Sequence, residues 1–181
     1  MMGHRGSPST ELIFRNCRVP VANRMAHGDF SASLMSMSLS RCCNSAIALG
    51  VAQRAYDEAV DYVQQREAFG KHLSDFQGLR WMIADMVVKL DAARLLIYRA
   101  AVNATAGFPS EAEAAIAKTF ANEAALSVVS DAMQLFGANG YSVAYPMERL
   151  YRDVRGFAIA GGTTQIQRNL IARKALGRRK Y

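Results

Sequence analysis

LRWMIADMVVKLDAARLLIYRA, residues 79–100, decides the fold class. Leu79, Met82, Ile83, Met86, Val87, Leu90, Ala93, Leu96, Ile97 and Ala100 recur every three or four residues, the period of one face of an α-helix. Ser74 and Gln77 have the spacing of a capping box at its start. Working outward, a first helix is expected from roughly Phe30 to Gln65. Its stripe is Leu39, Cys42, Cys43, Ala46, Leu49, Gly50, Gln53, Tyr56, Val60 and Val63. Gly107-Phe108-Pro109 breaks the pattern after the second helix. Ser110 and Glu113 then cap a third through about Phe136, with Ile116, Phe120, Ala124, Ser127, Val128 and Leu135 on its apolar face.

Gly137-Ala138-Asn139-Gly140 is a turn signal, and Pro146 suits the first turn of a short helix through Arg152. Ala160-Gly161-Gly162-Thr163-Thr164-Gln165-Ile166-Gln167-Arg168 reads as a glycine turn entering a last helix, with Thr164 and Gln167 as capping box and Gly177 as its end. Three long helices, a terminal helix and short breaks predict an all-α, antiparallel four-helix bundle over residues 23–181. Residues 11–19 partly alternate apolar and polar before Pro20 and are expected to form one short N-terminal strand. A lone strand needs partners, so its sheet is expected on sequence outside this chain.

Composition bounds the function. The chain has 181 residues, 51% of them hydrophobic and 20% charged, enough for one domain with a buried core. No run approaches the roughly 18 uninterrupted apolar residues of a membrane span. The net charge of +7, with basic residues at Arg173-Lys174 and Arg178-Arg179-Lys180, suits phosphates or an acidic partner, and equally a solvated surface. No nucleic-acid motif or aromatic-interleaved basic stripe accompanies it. Cys17, Cys42 and Cys43 make neither a disulfide framework nor a zinc site and fit a reducing compartment. His4, His27 and His72 are isolated from metal-ligand spacing and read as non-catalytic. Trp81 and the methionines of the second helix read as core or subunit interface.

Arg66-Glu67-Ala68-Phe69-Gly70-Lys71, Gln77 and the 160–168 turn together resemble the C-terminal domain of the acyl-CoA dehydrogenases. The resemblance covers nearly the whole chain. Residues 1–22 look like the tail of that family's middle β-domain, and the chain like a fragment or a split-gene product. It implies an FAD flavoprotein acting on acyl-CoA thioesters, assembled as a homo-tetramer (a dimer of dimers) or hetero-oligomer. It also implies the cytoplasm, or the mitochondrial matrix in a eukaryote.

By the same resemblance, Arg66, Glu67, Ala68, Phe69, Phe76 and Gln77 contact the FAD of a neighbouring subunit. Gln134, Leu135, Phe136, Gly137 and Ala138 do so too, with Ala138 where the family has a glycine. Plain capping remains an alternative for Gln77, and a helix C-cap for the 134–140 loop. Thr163 and Gln165 match contacts to the FAD of the same subunit, as a helix N-terminus suits anionic groups. Arg41, Gly162 and Arg173 fall at acyl-CoA positions, Arg173 being equally readable as a solvated cation.

The family's catalytic glutamate, which removes the substrate's α-proton, corresponds to Gly161. The alternative base position corresponds to Ser40, whose hydroxyl has no basic form near neutral pH. Ser38, Asp75 and Glu148 are weak substitutes. Positioned acid–base catalysis contributes about 10²–10⁴-fold, roughly 3–5 kcal/mol of barrier. Three expectations follow: a dehydrogenase-type enzyme running a variant reaction, a non-catalytic subunit completing a partner's FAD site, or a helical scaffold without cofactor.

Overall fold

The computed structural model describes residues 1–23 and 30–177, residues 30–35 by their backbone alone. His27 and Arg178-Arg179-Lys180 lie outside that range. The chain is dominated by helices: α1 Phe30–Gln65, α2 Gln77–Val102, α3 Glu111–Phe136, α4 Met147–Phe157 and α5 Thr164–Leu176. A two-residue hairpin, β1 Glu67–Ala68 and β2 Lys71–His72, joins α1 to α2. Helix α3 is central, packing against each of the other four, and α4 also packs on α1. Short connections force antiparallel neighbours. Among the described residues no helix is long and apolar enough to cross a membrane.

The ends of α1 and α3 fall where the sequence placed them. Ser110 caps α3 as expected, its Oγ accepting from the Glu113 N–H at 3.3 Å. Three other expectations need correction. Ser74 does not cap α2; its N-cap is Phe76, without a side-chain bond, and Asp75 instead accepts from the His72 N–H at 3.1 Å. The last helix is capped by Thr163 rather than Thr164. Helix α4 continues five residues past Arg152, to Phe157.

The strand expected over residues 11–19 is not formed: that segment has no ladder partner among the described residues and is exposed throughout. A strand without a neighbour leaves its backbone groups unpaired, so nothing holds it. Residues 3–4 are instead anchored on α4. His4 donates its N–H to Asp153 Oδ1 at 2.7 Å, its ring Nε2 lies 2.7 Å from the Asp153 carbonyl, and the ring packs edge-on against Phe157. Arg152, bonded to Glu148, donates to the Met2 carbonyl at 2.7 Å.

The core is built of small residues. Ala48, Ala52, Ala55 and Ala59 of α1 face Ala125, Val128, Val129 and Ala132 of α3, with Met86 and Leu90 of α2 closing the layer. Alanines let helix axes approach closely. The stripe expected on α1 is inward only in part: Cys42 and Val63 are buried and Leu49 and Tyr56 pack on the core, but Leu39, Cys43, Ala46 and Gly50 are exposed, and the buried face also runs through Ser45, Ala48 and Ala52. On α2 the expected stripe is the inward one, apart from Val87, while Trp81 is 62% exposed and is not core.

Candidate functional site

The polypeptide around Arg66 reverses tightly. Tyr62 accepts the Arg66 N–H at 2.8 Å, extending α1, and the Arg66 carbonyl accepts the Leu73 N–H at 2.8 Å, closing the loop. Between them Phe69 and Gly70 have φ of +54° and +80°. Positive φ at both central residues is the geometry whose twist matches paired strands. For phenylalanine it costs about 1–2 kcal/mol, and here the ring is 96% exposed. Lys71 Nζ lies 4.1 Å from the centroid of the Phe76 ring.

This reversal meets the end of α3. Tyr62, Arg66, Leu73, Leu79 and residues 134–139 line one shallow cavity of about 350 Å³. Tyr62 stacks on Phe136 at 4.1 Å, and Asn139 Nδ2 donates to its hydroxyl at 2.9 Å. Leu135 and Phe136 themselves are buried, so their side chains belong to the core. Gly137 has φ +57°. Gly140 is glycine of necessity, because a Cβ there would strike the Met133 carbonyl. A larger open cavity of about 810 Å³ continues past Gln134, Gly137 and Ala138 to Tyr141, Tyr151 and Arg152. The two segments separated by some 60 residues of chain thus share a wall. Gln77 lies outside it, exposed at the first position of α2.

The glycine turn is a second, separate constellation. Gly161 and Gly162 have φ of +68° and +92°. A Cβ on Gly162 would lie 2.8 Å from Gln167 Nε2, whereas one on Gly161 would meet only Lys118 Nζ, at 3.9 Å. Thr163 Oγ1 accepts from the Ile166 N–H at 3.3 Å, and Gln167 Nε2 donates to the Gly162 carbonyl at 3.0 Å. The expected capping pair is therefore displaced by one residue, and Gln167 closes the turn rather than the helix start. Gln165 is exposed beside it.

Beneath the turn lie two buried cations. Lys118, fully buried on α3, donates to Ala160 O at 2.6 Å, to Phe157 O at 3.0 Å and to Asn44 Oδ1 at 2.9 Å. It thereby caps the C-terminal carbonyls of α4, where a positive charge is favoured. Arg41 of α1, 6% exposed, donates through Nε to Gly161 O at 3.5 Å. Burial, reinforced by the Arg41 charge, pushes Lys118 down to about 8. Asn122 Nδ2 shares Asn44 Oδ1 at 3.1 Å. No carboxylate pairs with either cation among the described residues, and the first turn of α5 carries no acid.

Sequence reasoning named Arg41 but missed Lys118, Asn44 and Asn122. The signal was present: Lys118 and Asn122, one turn apart, interrupt the alanine face of α3. Ser40 is exposed beside buried Arg41. Arg173 is exposed and paired to Glu111 at 2.6 Å. Of the weak base candidates, Ser38 is buried, Asp75 holds the His72 N–H, and Glu148 is held below the usual carboxylate range by its hydrogen bond and charge contact with Arg152. Cys42 is buried, its thiol pushed up by burial; Cys17 and Cys43 are exposed. No group of three or more His, Cys, Asp or Glu among the described residues could hold a metal ion.

The chain's relatives agree with this architecture. The family model described as acyl-CoA dehydrogenase, C-terminal domain, matches residues 30–176. A 3-sulfinopropanoyl-CoA desulfinase of Advenella mimigardefordensis is 46% identical over 180 residues, covering 97% of this chain and 45% of that protein. A probable acyl-CoA dehydrogenase of Mycobacterium tuberculosis is 41% identical over 179 residues, covering 97% and 46%. The structure of butyryl-CoA dehydrogenase from Megasphaera elsdenii superposes with a TM-score of 0.79 at 38% identity, covering 82% of this chain and 39% of that one. The chain thus spans about half the length of the relatives it matches. Its helical core, its glycine turn and these relatives have one reading: the chain belongs to the acyl-CoA dehydrogenase family, as its C-terminal helical domain.

Proposed function

We propose that this chain is the C-terminal part of an FAD-dependent enzyme acting on acyl-CoA thioesters, in which Gly161 stands where the family's proton-abstracting glutamate does. The donor set fits a dinucleotide. Arg66 offers charge-assisted N–H groups for a pyrophosphate, Gln77 and Gln134 offer amides, and Gly137 leaves the backbone approachable. The exposed Phe69 ring, held at a costly φ, offers a stacking face. These residues, with Glu67, Ala68, Phe76, Ala138 and the backbone of Leu135 and Phe136, would hold the cofactor bound by a neighbouring subunit, the subunits assembling as a tetramer or hetero-oligomer. Thr163 and Gln165 would hold the one bound by the same subunit, while Arg41, Gly162 and Arg173 would border the thioester. FAD supplies the hydride acceptor of α,β-dehydrogenation when it is bound.

The observation that carries a variant reaction is the turn itself: Gly161 offers no carboxylate, and only the cation Lys118 approaches its empty side-chain position. Three of the similar proteins, at 42–46% identity, are named 3-sulfinopropanoyl-CoA desulfinases. Desulfination needs no α-proton base. The C–S bond breaks with its electron pair left on carbon, which takes up a proton. The SO₂ released is hydrated to hydrogen sulfite, and the sum is redox-neutral: 3-sulfinopropanoyl-CoA and water give propanoyl-CoA and hydrogen sulfite.

Anaerobic mixing of the complete holoenzyme with butanoyl-CoA tests the missing base. The flavin absorbance is expected to persist, and to bleach in Gly161→Glu. Rapid bleaching of the unmodified enzyme with formation of enoyl-CoA would show that a base is present after all. The non-catalytic-subunit reading rests on the same two positions, Gly161 and Ser40. A yellow protein that turns over acyl-CoA without a partner chain would exclude it.

A further inference from the structure

The shallow cavity joins two stretches far apart in sequence, one around Arg66 and one around Gly137, and a single residue holds both. Tyr62 stands in the last turn of α1. Its carbonyl accepts the Arg66 N–H at 2.8 Å, fixing the start of the reversal. Its hydroxyl accepts from Asn139 Nδ2 at 2.9 Å, fixing the loop after α3. Its ring stacks on Phe136 at 4.1 Å, with an interplanar angle of 16°, and Tyr145 stands edge-on to both rings. Phe136 is buried, so the stack cannot slide without opening the core. Among the described residues no other hydrogen bond joins 62–77 to 134–142.

Gly137 follows Phe136 directly, with φ +57° and ψ −135°, a conformation open to glycine. Nothing lies within 4 Å of the place where its Cβ would stand, so packing does not fix it. The residues on either side do. We propose that Tyr62 is a positioning residue for the cofactor wall: by gripping Phe136 and Asn139 it sets Gln134 and the Gly137 backbone in register with Arg66. This role rests on the FAD reading above, and Tyr62 acts through those neighbours rather than by touching the cofactor. A loop that must be ordered when a ligand arrives costs affinity, and Tyr62 supplies that order beforehand.

The test is the rate of FAD release from the complete holoenzyme, followed by flavin fluorescence after dilution. Tyr62→Phe keeps the stack and removes the hydroxyl alone, and Asn139→Ala removes the other partner. Each should speed release about fivefold, the worth of one hydrogen bond. The double variant should release no faster than either single one, since both break the same bond. Release at the parent rate in both variants, with only the melting temperature lowered, would reduce Tyr62 to a structural residue and overturn the proposal. So would effects that add. Amide hydrogen exchange in the flavin-free protein reads the clamp itself. Exchange at residues 137–142 should quicken in Tyr62→Phe, and unchanged exchange there would contradict the clamp. Because that measurement needs no flavin, it stays decisive even if the enzyme holds no FAD, so the two readings fail separately.

Discussion

Lys118 Nζ donates to the carbonyl of Ala160 at 2.6 Å, tying the middle of α3 to the residue before Gly161. The geometry of the glycine turn is therefore set from outside the turn. With the bonds to Phe157 O and Asn44 Oδ1, all three lysine protons are used.

Replacing Lys118 by Met should strand two carbonyl acceptors, those of Phe157 and Ala160, while Asn44 Oδ1 keeps its bond from Asn122 Nδ2. Each buried unsatisfied group costs about 1–3 kcal/mol, offset in part by removing a desolvated charge, so a net loss of about 1–3 kcal/mol is expected. Urea denaturation reads it, and limited proteolysis should newly cut at residues 158–163. Unchanged stability together with an uncut turn would show that Lys118 does not hold it.

The same residue predicts an uncommon pH dependence. Its folded value, about 8, is below the ordinary 10.5. The unfolded chain therefore binds more protons between those values, and stability from this group rises with pH across that window. Facing Nζ are the Arg41 cation, the Asn44 amide and two backbone carbonyls, so no neighbouring acid cancels the effect. Relative to Lys118→Met, the parent should gain about 2 kcal/mol between pH 7.5 and 9.5. A difference that stays flat or falls over that range would contradict the burial of a charged lysine.

Gly140→Ala and Gly137→Ala should differ in kind. At 140 the new Cβ would strike the Met133 carbonyl, a backbone atom that cannot rotate away. At 137 it meets nothing within 4 Å, but φ is +57°. Overpacking costs about 1–3 kcal/mol or more, and a left-handed alanine about 1–2 kcal/mol. Thermal melts should therefore rank Gly140→Ala lower, and the reverse order would contradict the packing described at the end of α3.

Phe69→Asn separates folding from ligand contact. Asparagine suits φ +54° better than phenylalanine, and a 96% exposed ring has little packing to lose. Stability of the domain should hold or rise by up to about 1 kcal/mol, while flavin is released more readily from the assembled enzyme. Equal flavin retention would remove Phe69 from the cofactor contacts.

How far the sequence could be read depended on side-chain size. The α2 stripe was legible because Met86, Leu90 and Ile97 are large and spaced at 3.6. The α1 stripe was legible only in part, at Cys42, Leu49, Tyr56 and Val63, because most of its inward face is Ala48, Ala52, Ala55 and Ala59, which hydropathy patterns weigh lightly. The cap of α3 was legible from Ser110 and Glu113. That of α5 was displaced by one, since two consecutive threonines offer the same chemistry and only the backbone chooses Thr163. Arg66 and Gln134 could be singled out by motif, but their common wall needs the three-dimensional meeting of α1 and α3. Lys118 was not singled out in the sequence. Its burial follows from the C-terminus of α4 arriving above it, which no local pattern encodes.

An acyl-CoA site whose turn has a cation beneath it and no base above it should desulfinate its substrate without reducing the flavin. The complete holoenzyme is incubated anaerobically with 3-sulfinopropanoyl-CoA, without an electron acceptor, while flavin absorbance, hydrogen sulfite and CoA products are followed together. Hydrogen sulfite and propanoyl-CoA are expected in equal amounts over many turnovers, with the flavin still oxidised at the end. Flavin bleaching with one equivalent of an unsaturated CoA thioester and no sulfite would contradict it.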